Sequence, residues 1–420
     1  MALEAARPVA VWAQSEQRSE ADQLLAEGIQ LYQAGQWQQA LDSWQQALGL
    51  YRQADNRLGE ANALNNISVI YRSSGDYPEA LKYQGQSLVL ARELGNRVEE
   101  ARALLNIGNI YRLLSDYPQA LEYQTQSLAL FRKLNDRAGE ASSLSGIGNI
   151  YRLLSDYPQA LEYQTQSLAL FRELSDRAGE ANTLGNTGTV YESLGNYPQA
   201  LNYYEQSLAL KQELGDRAGE ANTLGNIGII YRILGNYLQA LDYHKQSLAL
   251  KQELGDRAGE AKTVGNIGTI YSFLEDYSQA LDYYEQSLIL ERELGDRAGE
   301  ARILSNIGTV HRFSGDYPQA LDYYEQSLLL FRDLGNRAIE AGILSNIGSI
   351  YDLLGDIRAI ASYQAAIVAY EEVRQSNQLL DPELQDTYTA EIAPTYRRLA
   401  TLLRQTGRTV EADQVLNLLN

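Results

Sequence analysis

Asparagine and arginine recur along this 420-residue chain at intervals of 40 residues or multiples of 40. The asparagine positions are Asn66, Asn106, Asn186, Asn226, Asn266, Asn306 and Asn346, and a further pair is Asn109 and Asn149. The arginine positions are Arg72, Arg112, Arg152, Arg232 and Arg312. An asparagine amide can donate to and accept from an extended backbone, and an arginine guanidinium is a planar fork that suits carboxylates. These rows predict recognition of an extended, acidic or carboxylate-bearing segment.

Catalytic chemistry has few residues to draw on in this sequence. There are no cysteines, so a disulfide, a thiolate nucleophile and a cysteine-based metal site are all excluded. The two histidines, His244 and His311, stand in for other residues of a repeating pattern, and we interpret them as packed or partner-facing side chains. No glycine-rich phosphate loop follows a strand pattern. We therefore predict a protein that is not an enzyme and that binds no metal or cofactor.

The charge of the chain narrows the class of partner. It has 35 basic and 54 acidic residues, a formal net charge of −19 and a pI near 4.6. Such a surface repels phosphate backbones and anionic lipids. No stretch approaches the roughly 18 consecutive apolar residues that a transmembrane helix needs. We therefore predict a protein or peptide partner, no nucleic acid and no membrane. The arginine row would be a local reversal of sign.

The residues that must position these side chains form a repeat of 40 residues, in blocks that start at residues 21, 61, 101 and so on to 341. Within this series, residues 107–132 recur identically at 147–172. Tyrosine marks one position of the unit, at Tyr71, Tyr111, Tyr151, Tyr191, Tyr231 and Tyr271. Alanine followed by leucine marks a second, and glycine a third. The constant register predicts an array of equivalent units.

Each unit contains the pattern of two helices. In the unit that begins at Ala221, apolar and small residues follow a period of about 3.6 residues, and the pattern breaks at Gly235. A second amphipathic stretch then runs to Leu254. Glycine suits the end of a helix, and an aspartate such as Asp256 suits the cap of the next one. Because the loops are short, we expect consecutive helices to be antiparallel neighbours.

These residues resemble the tetratricopeptide repeat family in a 40-residue form. The residues that carry the resemblance are Leu224, Ile227, Gly228, Tyr231, Gly235, Tyr237, Ala240, Tyr243, Ser247 and Leu248. The resemblance implies an all-α fold, an α-solenoid in which antiparallel helix pairs stack into a right-handed superhelix. It also implies that the first helix of each pair lines a concave groove, and that the asparagine and arginine rows face or border that groove. HEAT and WD40 arrays share the repeat length but not these positions.

The sequence leaves another explanation open for the two rows. The asparagines could bond neighbouring helix ends, and the arginines could pair with acidic residues of the adjacent unit. One departure from the family pattern is also visible, because serine replaces the second alanine of the second helix in most units.

A closer resemblance concerns bacterial, especially cyanobacterial, proteins that continue from such repeats into a caspase-like CHAT peptidase domain. It rests on EADQLLAEGIQLYQAGQWQQALDSWQQAL near the N-terminus and TYRRLATLLRQTGRTVEADQVLNLL near the C-terminus. It implies a non-enzymatic protein- or peptide-binding scaffold, the sensor or adaptor part of a larger signalling protein, with an effector domain in cis that is absent from this chain. The alternatives are a self-assembling structural array and a stand-alone receptor for a short signalling peptide. The oligomeric state stays open.

Three segments are predicted along the chain. Residues 1–18 are a disordered tail or signal-peptide remnant, residues 19–380 hold nine tandem units, and residues 381–420 form capping helices as a degenerate tenth repeat. The stretch PVAVWA at residues 8–13 is similar to the end of an export signal, but the positively charged start is absent. We expect a cytoplasmic location.

Overall fold

The computed structural model describes the backbone of residues 2–376 and 382–419 and the side chains of residues 17–375 and 385–419. Regular structure in these segments is helical throughout. The helices are α1 (Ala2–Gln33), α2 (Trp37–Gln53), α3 (Arg57–Ser73), α4 (Tyr77–Glu93), α5 (Arg97–Leu113), α6 (Tyr117–Leu134), α7 (Arg137–Leu153), α8 (Tyr157–Glu173), α9 (Arg177–Ser193), α10 (Tyr197–Leu214), α11 (Arg217–Ile233), α12 (Tyr237–Leu254), α13 (Arg257–Phe273), α14 (Tyr277–Leu294), α15 (Arg297–Phe313), α16 (Tyr317–Asp333), α17 (Arg337–Leu353), α18 (Arg358–Ser376), α19 (Pro382–Gln405) and α20 (Thr409–Asn417). The all-α prediction is confirmed.

The helices pack in antiparallel pairs, each odd-numbered helix with the even-numbered helix that follows it. We call the odd-numbered helices A helices and the even-numbered ones B helices. The chain forms two compact units, Met1–Asp216 with α1 to α10 and Arg217–Asn420 with α11 to α20. Within each unit, the B helix of one pair packs on the A helix of the next. The predicted solenoid of stacked pairs is confirmed.

The helix ends follow from the residues at the turns. The side chain of Asp156 accepts the backbone N–H of Gln159 at 3.2 Å, and that of Asp136 accepts from Gly139 at 2.9 Å. Both are N-caps, which satisfy N–H groups that the first helical turn leaves free. Before each cap the backbone is left-handed, as at Gly195 with φ of 70°. The caps and glycine stops predicted from the sequence are therefore in place.

Close packing inside a pair depends on one glycine and one alanine. A Cβ atom added to Gly228 on α11 would lie 2.9 Å from the ring of His244 on α12. Ala240, on the same B helix, is fully buried. Beside this contact the rings of Tyr231 and Tyr243 stack with centroids 5.4 Å apart. Small residues bring the two helices together and the tyrosines fill the adjacent volume.

The serine that departs from the family pattern has a bonding role. Ser127 on α6 is fully buried, and its hydroxyl donates to the carbonyl oxygen of Ala101 on α5 at 2.8 Å. The same bond, over 2.7–3.2 Å, joins Ser87 to Ala61, Ser167 to Ala141, Ser207 to Ala181, Ser247 to Ala221, Ser287 to Ala261 and Ser327 to Ala301. Alanine would fill this space but could not bond the A helix.

The predicted tail and the predicted cap lie at the two ends of the chain. From residue 2 onward, the segment predicted as a tail forms the start of α1. Its side chains up to residue 16 lie outside the described residues, and its origin as an export-signal remnant stays a prediction. At the other end, the predicted boundary at residue 380 lies outside the described residues. Beyond it, α19 and α20 pack together, and Ala412 is fully buried.

Candidate ligand-binding face

The predicted binding residues all lie on A helices, at the sixth, ninth and twelfth positions of the 40-residue unit. Spacings of three residues bring side chains to one side of a helix. All of these side chains are partly buried, so each still reaches solvent. We call this surface of the A helices the A face and describe it separately in each unit. The N-terminal unit carries the positions up to Asn186, and the C-terminal unit carries those from Asn226 onward.

Two sixth-position asparagines connect successive A helices. The amide nitrogen of Asn106 on α5 donates to the side-chain oxygen of Asn65 on α3 at 3.0 Å. In the same way, Asn186 on α9 donates to the hydroxyl of Ser145 on α7 at 3.1 Å. For Asn66, Asn226, Asn266, Asn306 and Asn346 the described residues contain no side-chain hydrogen-bond partner. The asparagine row therefore divides into members that join helices and members whose amides have no partner among the described residues.

The ninth-position asparagines bond within their own helix pair. The side-chain oxygen of Asn109 accepts from Gln124 on α6 at 3.1 Å, and that of Asn149 accepts from Gln164 on α8 at 3.0 Å. Each glutamine is fully buried. These two asparagines were predicted to serve the ligand groove, but their carbonyl oxygens hold a B-helix side chain in place.

Most arginines outside the twelfth position belong to a regular network of ion pairs. In the N-terminal unit, Glu140 receives Arg132 of the preceding B helix at 2.9 Å and Arg137 of its own first turn at 3.0 Å. Arg137 also reaches Glu173 at 3.0 Å. Equivalent pairs recur along the chain, for example Arg92 with Glu100. This network joins consecutive helices away from the twelfth position.

The twelfth-position arginines do not take part in this network. In the part of the chain that the structure describes, no carboxylate forms an ion pair with Arg72, Arg112, Arg152, Arg232 or Arg312. The alternative that these arginines pair with acidic residues of the adjacent unit therefore disagrees with the structure. An unpaired, partly buried guanidinium retains its full capacity to bind an anion.

The arginines of the N-terminal unit also act on one another. Burial, followed by the positive charges of Arg152 and Arg72, lowers the pKa of Arg112. A lowered pKa means that the surroundings disfavour the charged form, as expected where like charges approach without a counterion. A carboxylate beside Arg112 would offset both effects, because its negative charge favours the charged guanidinium. The row on α3, α5 and α7 thus brings positive charges together without a counterion among the described residues.

In the C-terminal unit the arginines lie against aromatic rings. The guanidinium carbon of Arg312 is 4.4 Å from the ring centroid of Phe313, and that of Arg232 is 5.9 Å from the ring centroid of Phe273. The Nε atom of Arg312 is buried and has no hydrogen-bond partner among the described residues. Both phenylalanines are about half exposed, at 53% and 57%. These rings were not among the predicted binding residues, although their position, one residue after the arginine row, is visible in the sequence.

Among the described helices, none has both the length and the apolar character of a membrane span. Within the same residues, no group of three or more His, Asp or Glu side chains is arranged to bind a metal ion.

The repeats of this chain match a known protein family. A family model described as tetratricopeptide repeat matches residues 22–93, 69–133, 139–213, 219–293 and 299–378. A search of curated protein sequences finds no match.

Three solved structures illustrate the likeness in fold. The apo form of the quorum sensor NprR from B. thuringiensis is 16% identical, with a TM-score of 0.57 over 85% of this chain and 99% of that chain. The Rap conjugation gene regulator of plasmid pLS20, in complex with the Phr* peptide, is 16% identical, with a TM-score of 0.52 over 86% and 98%. A STAND protein with a tetratricopeptide repeat sensor from Pyrococcus horikoshii is 13% identical, with a TM-score of 0.61 over 83% and 55%.

Proposed function

Since the chain belongs to the tetratricopeptide repeat family, we propose that it is a non-enzymatic scaffold that binds an extended, acidic segment of a protein or peptide on its A face. The family and the structural neighbours support a binding role in general. The choice of ligand and of surface rests on the side chains of this chain.

The observation that carries the proposal is the unpaired arginine row in a strongly acidic protein. With a net charge of −19, carboxylates are abundant, and the other arginines of the helix ends find them. The twelfth-position arginines do not. A ligand that supplies carboxylates at this surface would complete their bonding and remove the repulsion around Arg112.

The asparagines without a partner supply the second half of the interaction. Asn66 in the N-terminal unit, and Asn266 and Asn306 in the C-terminal unit, present a donor and an acceptor beside the arginines. Such amides can bond the backbone of an extended chain whatever its sequence. They would add affinity, while the arginines would select for acidic side chains.

The likeness to sensor proteins supports a peptide as the ligand class. One structural neighbour is a quorum sensor and another was solved with a bound peptide. At this level of identity the likeness concerns the fold, so the transfer to this chain is part of the proposal. The sensor or adaptor part of a larger signalling protein is our first choice of role. A stand-alone receptor for a short signalling peptide is the second, and these neighbours are the observation that favours it.

The test compares two triple variants of equal charge in the N-terminal unit. Arg72→Gln/Arg112→Gln/Arg152→Gln removes the unpaired row. The control, Arg92→Gln/Arg132→Gln/Arg172→Gln, removes three ion-paired arginines at the same 40-residue spacing. Short acidic, neutral and basic peptides are titrated against both and against the wild type. Exposed pairs contribute about 0–1 kcal/mol each, so we expect the first variant to lose roughly tenfold or more in affinity for acidic peptides.

Circular dichroism on all three proteins confirms that the repeats are folded. Equal loss of affinity in both triple variants would show that only net charge matters. Preference for basic peptides would reject the A face as an acidic-ligand site. A self-assembling array, the remaining alternative, would instead reveal itself by a mass that rises with concentration in light scattering.

A further inference from the structure

A cavity of about 380 Å³ opens between two neighbouring A helices, α13 and α15, in the C-terminal unit. Its lining includes Ser272, Phe273 and Tyr284 from one repeat and Asn306 and Phe313 from the next. Three of these five side chains are aromatic. Most of its lining residues lie on the A helices, at the sixth, ninth, twelfth and thirteenth positions of the unit, and Tyr284 lies on the B helix α14.

One member of the arginine row is missing beside this cavity. Ser272 occupies the twelfth position of α13, where α11 has Arg232 and α15 has Arg312. A serine side chain is much shorter than arginine and leaves space that a guanidinium would fill. At the thirteenth position, Phe273 and Phe313 stand where α11 has Ile233. The repeat of α13 thus has no charge at its twelfth position and an aromatic side chain at its thirteenth.

The lining of the cavity suits a flat apolar side chain. Tyr284 is 2% exposed, and its hydroxyl donates to Thr269 at 3.0 Å, so its polar atom is already satisfied. The hydroxyl of Tyr324 is likewise 2.9 Å from that of Thr309, which also lines the cavity. The rings of Phe273 and Phe313 remain half exposed. An aromatic side chain placed here would cover these rings without taking a hydrogen-bond partner from either tyrosine hydroxyl.

The charges around the cavity favour an acidic chain as the carrier of that side chain. The guanidinium of Arg312 lies 4.4 Å from the ring of Phe313, and that of Arg232 lies 5.9 Å from the ring of Phe273. Neither forms an ion pair in the described residues. One carboxylate, the exposed Glu275 on the turn after α13, also lines the cavity. The two arginines beside the cavity therefore outnumber the one carboxylate in its lining.

We propose that this cavity binds the aromatic side chain of an acidic peptide, whose flanking carboxylates bond Arg232 and Arg312. The inference rests on the proposed function and adds a specificity pocket to it. Ser272, Phe273 and Phe313 are the residues that determine the preference. The free amide of Asn306, beside the cavity, is available to bond the peptide backbone.

The experiment uses two acidic peptides that differ only in one central residue, phenylalanine or alanine. For the wild type we expect the phenylalanine peptide to bind roughly tenfold or more tightly than the alanine peptide, from the burial of one aromatic side chain. Ser272→Arg restores the residue found in the neighbouring repeats and fills the cavity. It should abolish the difference between the peptides, although it adds a positive charge that by itself favours both.

A second pair of variants tests the pocket by truncating side chains, so that the test does not depend on the folding of Ser272→Arg. Phe273→Ala/Phe313→Ala removes the two half-exposed aromatic walls, and with Phe273 its stacking on Tyr237. Its control, Ile233→Ala/Leu353→Ala, truncates exposed thirteenth-position side chains of the same unit. The first should lose the preference for phenylalanine and the second should keep it.

The outcomes separate the two proposals. If both acidic peptides bind the wild type equally well and better than a basic peptide, the pocket assignment is overturned and the acidic-ligand function stands. If neither acidic peptide binds better than the basic one, the proposed function fails and the pocket fails with it. Retention of the phenylalanine preference in Ser272→Arg also overturns the pocket.

Discussion

At the scale of single residues, the ninth position of five A helices is hydrogen-bonded to a buried side chain of the B helix that follows. In three repeats this is a threonine with a tyrosine, as in Thr189 with Tyr204 at 3.1 Å. His244 lacks this bond, as does Gln84 opposite Val69, because its partner position holds Ile229, which has no polar side-chain atom. The imidazole is 1% exposed, and both its nitrogens lack a hydrogen-bond partner among the described residues. A buried polar group without a partner destabilises a fold.

The first prediction restores the missing pair. His244→Tyr with Ile229→Thr copies the Thr189 and Tyr204 arrangement, and Gly228 provides the same space that Gly188 provides there. We expect the double variant to be more stable than the wild type by about 1 kcal/mol or more, because a hydrogen bond replaces two unpaired nitrogens. Chemical denaturation measures the change. His244→Tyr alone is the control and should gain less, since its hydroxyl would face Ile229. A double variant no more stable than the wild type would contradict the pairing rule.

The second prediction concerns pH and the same histidine. Burial, followed by the positive charges of Lys251 and Arg232, lowers the pKa of His244 from 6.5 to about 4. Between these values the unfolded chain binds a proton at His244 and the folded chain does not. Stability contributed by the neutral imidazole is therefore complete above pH 6.5 and is lost as pH falls towards 4, by up to about 1.4 kcal/mol per pH unit.

The measurement is the difference between two unfolding curves. Other groups also titrate in this range, so the wild type is compared with the His244→Tyr/Ile229→Thr variant at each pH. The advantage of the variant should grow as the pH is lowered from 6.5. A constant difference would show that His244 titrates normally in the fold.

At the scale of the helices, the turns between A and B helices differ in one residue. Most have glycine in the left-handed conformation, as at Gly195 with φ of 70°, whereas the duplicated repeats have Ser155 with φ of 61° and Ser115 with φ of 60°. A side chain in this conformation costs about 1–2 kcal/mol, partly offset by the lower entropy that serine loses on folding. These turns are strained relative to their equivalents.

The third prediction follows from that comparison. Ser155→Gly should stabilise the N-terminal unit by roughly 0.5–1 kcal/mol, because it removes the strain while keeping the backbone bond to Arg152. The reverse change, Gly195→Ser, should destabilise by a similar amount. Thermal unfolding of both variants shows whether each substitution raises or lowers the stability. A Ser155→Gly protein that melts below the wild type would mean that the serine has a bond that outweighs its strain.

The fourth prediction tests the serine bonds that join the helices of a pair. Ser167→Ala removes the hydrogen bond to the carbonyl of Ala141 at 2.9 Å, in a fully buried place, and should destabilise by about 1 kcal/mol. Thr165→Ala on the same helix is the control. Its hydroxyl is exposed and bonds only its own helix, so the change should stay within about 0.5 kcal/mol. Equal losses of stability in the two variants would show that the hydrogen bond from Ser167 to Ala141 does not stabilise the helix pair.

At the scale of the whole molecule, stability comes from contacts between successive helices, as expected for stacked repeats. Two repeats are nearly the same in sequence, and the bounds of their helices within the 40-residue unit differ by at most one residue. Residues 107–132 and 147–172 are identical, and α5 and α7 occupy equivalent places in the N-terminal unit. One copy is therefore dispensable to the packing pattern.

The fifth prediction is that deletion of residues 106–145 leaves a folded protein. The new junction joins Leu105 to Gly146 inside an A helix and keeps every packing position in register. Circular dichroism should show unchanged helicity per residue. We expect some loss of stability, because the hydrogen bond from Asn186 to Ser145 disappears with the deleted segment. A chain that loses its helicity would indicate contacts beyond nearest neighbours.

The sequence by itself determined the fold class, the helix pairs and the small and aromatic residues that hold each pair together. These features depend on short spacings along the chain, and forty-residue repetition displays them many times over. It also marked the asparagine and arginine positions of the A helices, whose use by a ligand stays a prediction.

Only the tertiary structure decided which of these polar side chains are free. Asn109 looks like its neighbours in the sequence, yet it holds Gln124 across the helix pair, while Arg112 has no carboxylate in reach among the described residues. The pocket beside Ser272 likewise depends on two helices from different repeats. Such facts are set by distances of a few ångström between residues 15 to 41 positions apart. The repeat pattern specifies which residues recur, but contacts between repeats decide which partners they meet.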